Sequence, residues 1–231
     1  MKRMTILLGV AALSLAACEE QPAPGVNVFE RWEPSGEPTT AGFTPATCGP
    51  RKPASPAQIG AVYIYDFSTR DGEPGGEWRE RISALIPDGA VAQASFDPIR
   101  EEGPPHPMNP TIYRFGMLAG SGETLKIEYP DDAAARIAAL TPNAEVVLDV
   151  KRSVNNRSAT GKATVTFRGC GSLTVEDRPT GVRVYDITPF APDDRTKPVV
   201  IEHNRIYVLD DSGWPAVVET RYGVQRLERR Q

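Results

Sequence analysis

From residue 111 onward, the pattern of hydrophobic and polar positions is almost all that of strands. Val146, Leu148 and Val150 alternate with Val147, Asp149 and Lys151. Beyond the turn pair Asn155-Asn156 the chain returns with Ala163, Val165 and Phe167 set against Lys162, Thr164, Thr166 and Arg168. Successive side chains of a strand point to opposite faces, so this pattern predicts an antiparallel hairpin with one face buried and one face wet. Segments 61–67, 91–96, 172–176, 182–187, 199–204, 205–209 and 217–225 have β-branched or aromatic character and read as strands. A second hairpin is expected between 111–118 and 124–129, turning over Ala119-Gly120-Ser121-Gly122-Glu123.

Two segments follow a different period. Trp78, Ile82, Leu85 and Ile86 fall at i, i+4, i+7 and i+8, which predicts a short helix over 77–86 stopped by Pro87-Asp88-Gly89. Residues 133–140 read as a small helix capped by Asp131 or Asp132 and ended by Thr141-Pro142. There is no βαβ series and no internal repeat. The expected fold is therefore mainly β: a β-sandwich or partly open barrel of about nine short strands, with one or two short helices, in a single domain over 58–231.

The N-terminus changes the picture. At 40% hydrophobic and 24% charged, the 231 residues suit a globular body. Lys2 and Arg3, however, precede an uncharged, mostly apolar run over 4–15. That run is too short to span a bilayer, which takes about 20 residues. A plain secretory signal is one reading. The run ends in Leu15-Ala16-Ala17-Cys18, and this tetrapeptide resembles the lipobox of bacterial lipoproteins. The resemblance covers the export signal, 1–17, and Cys18, and nothing of the mature body. It implies cleavage before Cys18, diacylation of the Cys18 thiol and acylation of the new amine, so that acyl chains hold the protein to membrane lipid without a transmembrane helix. Glu19 stands where an Asp retains enteric lipoproteins at the inner membrane, so the resemblance implies the periplasmic face of the outer membrane.

Export bears on the other cysteines. With Cys18 lipidated, Cys48 and Cys170 remain, an even pair in an oxidising compartment, and a disulfide between them is expected. Two separate thiols without CxxC spacing make a poor zinc site. Removing residues 1–17 takes away two basic residues and no acid, leaving 24 basic against 30 acidic. An acidic chain without a basic run argues against nucleic acid and against electrostatic docking on anionic lipid. The Arg221, Arg226, Arg229 and Arg230 cluster, interrupted by Glu228, reads as a solvated strand face or tail.

Eight prolines between Pro22 and Pro56 mark 18–57 as a lipidated, semi-extended tether, pinned to the body at Cys48. Within it, residues 26–32 are too hydrophobic for a purely entropic spacer. They read either as an edge strand packed along the body or as an exposed docking peptide for a partner, carried by Val28, Phe29 and Trp32.

Chemical motifs are sparse. The Gly120-to-Thr124 stretch has Glu123 where a phosphate-binding loop needs lysine. His106 and His203 are the two histidines, and no G-x-S-x-G elbow accompanies them. The pairs Asp131-Asp132, Asp193-Asp194 and Asp210-Asp211 lack calcium-loop spacing. Trp214-Pro215 is either a packed sheet end or an exposed aromatic platform. No catalytic residue, cofactor or metal is assigned. The expected role is a membrane-anchored envelope lipoprotein serving as a binding, accessory or scaffold module for a protein or glycan partner. The alternatives are a periplasmic hydrolase acting on cell-wall or glycan material, or a passive structural lipoprotein. An enzyme would be marked by a concave pocket with convergent carboxylates or His106.

Overall fold

The computed structural model describes residues 28–30, 34, 37–38, 40–50, 57–99, 103–121, 125–154, 157–194 and 199–231. The export signal, Cys18, Trp32 and Glu123 lie outside the described residues. In chain order the elements are β1 (Val28–Glu30), β2 (Thr44–Ala46), β3 (Val62–Thr69), β4 (Pro74–Ile86), β5 (Gly89–Pro98), β6 (His106–Pro107), β7 (Thr111–Arg114) and β8 (Met117–Ser121). There follow β9 (Leu125–Glu128), α1 (Ala133–Ala138), β10 (Glu145–Val154), β11 (Arg157–Val175), β12 (Arg178–Pro192), β13 (Val199–Ile201), β14 (Asn204–Leu209), β15 (Pro215–Glu219) and β16 (Gly223–Arg230). At 63% strand and 4% helix the fold is mainly β.

The large sheet is an antiparallel meander that returns on itself. Each long strand pairs with the next, from β3 through β4, β5 and β7 to β8, and from β9 through β10, β11, β12, β14 and β15 to β16. β16 then pairs back onto β3, with Leu227 opposite Tyr65. Among the described residues no ladder joins β8 to β9, so the ring of strands has one open seam.

Two apolar cores form on opposite faces of shared strands. Tyr207 and Leu209 of β14 point into the first core, and Ile206 and Val208 point into the second. Val217 and Val218 of β15 divide in the same way. This explains why all six residues of β14 are buried: a strand covered on both faces loses the polar half of its alternation. The first core lies under β3, β4, β5 and β7. The second lies under α1, β10 and the first half of β11.

The 146–150 and 163–167 hairpin forms with Val146 opposite Val165 and Leu148 opposite Ala163. Three local expectations are corrected. Residues 77–86 belong to strand β4, where Glu80 and Ile82 are buried and Leu85 is 49% exposed. A carboxylate at an inward position breaks the hydrophobic alternation, and the outward Leu85 completes a false helical stripe. The hairpin after β7 turns at Phe115-Gly116, both at positive φ, and pairs Arg114 with Met117; β8 does not pair with β9. Neither aspartate side chain caps α1; Asp132 instead reaches Arg136 one turn on, at 3.8 Å.

Candidate functional site

The proline-rich N-terminal segment is engaged with the body well before Cys48. β1 runs parallel to β13, Val28 opposite Val199. The Glu37 carbonyl accepts a hydrogen bond from Arg205 Nη1 at 3.2 Å, and Thr40 Oγ1 accepts one from Arg226 Nη2 at 3.0 Å. Arg205 is itself buried and forks onto Asp186 at 2.6 and 3.0 Å. The Phe43 ring meets Tyr207 edge-on at 5.4 Å. β2 pairs with β11, and a Cβ at Gly171 would lie 2.3 Å from the Phe43 ring, so only glycine lets the strap lie this close. Cys48 and Cys170 form a disulfide across 122 residues, with Cα atoms 5.0 Å apart. From Glu37 to Gly49, whose carbonyl takes a bond from Arg183 at 3.0 Å, the chain is a strap rather than a spacer.

A cleft of about 670 Å³ opens beside the ends of β3, β4 and β5, lined by Asp66, Phe67, Glu77, Asp97 and Ile99 among others. The sheet register places its three acids in one row, Asp66 opposite Glu77 and Glu77 opposite Asp97. Directly opposed residues have Cβ atoms about 5 Å apart, and like charges so placed repel. The middle carboxylate is compensated: Glu77 takes Arg79 Nη2 at 2.6 Å and Arg229 Nη2 at 3.1 Å. Asp66 and Asp97 flank it, both exposed. The row offers a line of acceptors to hydroxyl or cationic donors, beside the apolar surfaces of Phe67 and Ile99. Among the described residues no three His, Cys, Asp or Glu side chains gather in a way that could hold a metal ion.

A different acid lies inside the first core. Glu80 is 1% exposed, and its Oε1 accepts bonds from Tyr113 Oη at 2.9 Å and Trp78 Nε1 at 3.1 Å. Burial pushes its carboxyl up to about 7, against the opposing pull of hydrogen bonds from Trp78, Tyr113 and Thr111. Nearby, Trp214 Nε1 donates to Tyr65 Oη at 2.8 Å, and Tyr65 donates to the Pro215 carbonyl at 3.1 Å. Trp214 also stacks on Tyr63 with ring centroids 4.5 Å apart. Glu80 is thus sealed in the core and is not one of the cleft acids.

The residues singled out in the sequence do not converge on one place. His106 is exposed in β6, opposite Phe96, while His203 Nδ1 lies 2.9 Å from Thr188 Oγ1. Trp214 is 3% exposed and packs in the first core. Asp210 takes Arg183 at 3.0 Å, and Asp211 takes Arg230 at 3.2 Å. The C-terminal arginines lie along and just before β16; Arg221, Arg229 and Arg230 make ion pairs, with Glu202, Glu77 and Glu176. Neither Glu80 nor the Asp66–Glu77–Asp97 row was anticipated. The row's members are far apart in sequence and meet only through the register. Glu80's signal was the single acid at an even position among Trp78, Ile82, Ala84 and Ile86.

Among the described residues, no helix is long and apolar enough to cross a membrane. No known protein family matches the chain, and no curated protein sequence matches it. Its structure is similar to that of the hypothetical lipoprotein YmcC of Escherichia coli, at 12% identity and a TM-score of 0.40, over 73% of this chain and 83% of that one. It is similar also to a Bacteroides fragilis protein described as exported and as having a YmcC-like fold, at 14% and 0.39, over 76% of this chain and 97% of the other. A Parabacteroides distasonis protein described as a lipoprotein overlaps at 12% and 0.40, with the same coverage. Overlaps this loose carry no argument about what the protein does.

Proposed function

We propose that the protein is a lipid-anchored lipoprotein of the bacterial envelope whose β-rich body binds a protein or glycan partner through the Asp66–Glu77–Asp97 cleft. The anchor reading rests on Leu15-Ala16-Ala17-Cys18 behind its basic and apolar segments. The Cys48–Cys170 disulfide supports it, since such bonds persist in oxidising compartments. Glu19 favours the periplasmic face of the outer membrane. The binding reading is carried by the carboxylate row: acceptors spaced by the distance between neighbouring strands, next to apolar surface, suit the hydroxyls of a glycan or the basic side chains of a protein segment.

Two comparisons test it in intact envelopes. Cys18→Ser should leave the membrane fraction for the soluble one, and persistent attachment would overturn the anchor. Wild type and the double variant Asp66→Asn with Asp97→Asn should then be crosslinked and assayed for retention on isolated cell-wall glycan. A partner or glycan bound by wild type and lost from the variant supports the cleft. Equal retention by both overturns it, and glycan cleavage by wild type alone would make the protein a hydrolase instead.

A further inference from the structure

We propose that Glu80 is a proton-operated latch in the wall of the first core. Protonated, its carboxyl is a neutral group among Trp78, Tyr113 and Thr111; ionised, it is a buried charge with hydrogen-bond donors but no cation beside it, which loosens the β4–β7 side of the sheet.

The geometry singles out this carboxyl. Glu80 sits between Tyr63 of β3 and Ala94 of β5 in the register and faces the core. Both well-formed donors converge on Oε1, while Oε2 is buried without a hydrogen bond of standard geometry among the described residues. A buried carboxylate is normally tolerated beside a guanidinium or ammonium. The groups facing this one are different. β4 contributes Trp78, β3 contributes Tyr63 and Tyr65, β7 contributes Thr111 and Tyr113, and Ala92 and Ala94 of β5 bring nothing titratable. None of these carries a positive charge. Burial, and after it the charge of Glu80, raise the Tyr65 and Tyr113 phenols well above their ordinary value, so both stay protonated while Glu80 titrates.

The sign follows from linkage. The folded carboxyl holds its proton up to about 7, whereas the unfolded one releases it near 4.5. Between these values the folded state binds the extra proton, so stability falls as pH rises and is lowest above about 7. The folding equilibrium constant should drop about 300-fold in all, and about 80-fold between pH 4.5 and pH 7.

The test is denaturant unfolding of the full chain at half-unit steps from pH 4.5 to 8.5, followed by tryptophan fluorescence, for wild type and Glu80→Gln. The amide keeps the size and removes the charge. A wild-type decline that is flattened in Glu80→Gln, with the variant the more stable protein at pH 8, is the expected result. Equal slopes in the two proteins overturn the latch. If Glu80→Gln does not fold, Tyr113→Phe decides: deleting a donor to the carboxylate should move the wild-type midpoint to higher pH, and an unmoved midpoint overturns the proposal.

Discussion

The two cores share strands β12, β14 and β15 yet are made of different chemistry. The buried members of the second core are aliphatic apart from Phe167, Tyr185 and Cys170. The first holds four tyrosines, Trp214 and the Glu80 carboxyl. Aliphatic packing is close to indifferent to direction and to pH, and its worth follows the area removed from water. A core of phenols, indoles and a carboxyl must also satisfy its hydrogen bonds, because each buried polar group left unpaired costs about 1–3 kcal/mol. One face of β14 thus stabilises by bulk, while the other holds a specific arrangement that can be disturbed by a single proton.

The largest effect should come from the staple between the strap and the second core. Replacing Cys48 and Cys170 by Ser opens a crosslink spanning 122 residues and should cost about 4–5 kcal/mol in the chain-entropy account. Chemical unfolding of the double variant measures it. Next, Leu148→Ala in the second core should cost about 2–5 kcal/mol, by the same amount at pH 5 and pH 8. A pH-dependent loss there would blur the contrast between the cores. Smaller again, Tyr65→Phe removes the acceptor for Trp214 and the donor to Pro215 in the first core, and should cost about 1–3 kcal/mol with almost no change in buried volume. A loss under 0.5 kcal/mol, measured by the same unfolding, would mean that water replaces the hydroxyl and that the aromatic network is less demanding than its geometry.

The same contrast governs how much was legible beforehand. The second core announced itself, because Val146, Leu148, Val150, Ala163, Val165 and Phe167 alternate without interruption and belong to a hairpin with a short turn. The first core was half hidden. Glu80 occupies an inward position of β4, so the strand read as a helix, and the solvent-facing Leu85 reinforced the error. Phe115 in the left-handed region of a tight turn has no propensity signal, so the glycine-rich 119–123 stretch drew the turn away from its place. The sequence offered contact with the body at 26–32, as an edge strand, and at Cys48; the stretch between read as spacer, because proline content reports stiffness and says nothing of docking. Its attachments ahead of β2 are a backbone carbonyl of Glu37, a threonine hydroxyl and one phenyl ring against glycine, each matched to a residue more than 120 positions away. The cleft row was invisible for a related reason: Asp66, Glu77 and Asp97 become neighbours only once β3, β4 and β5 are paired.

The docked strap bears on reach. In the anchored protein proposed above, only residues 19–27 separate the lipidated cysteine from β1. Fully extended, nine residues cover about 30 Å. A body of about 200 residues is itself roughly 40 Å across. The mooring line is therefore shorter than the vessel. The body can tilt and roll on the bilayer, but no part of it can move more than about 70 Å from the anchor point, so a partner of the cleft must come within that distance of the membrane.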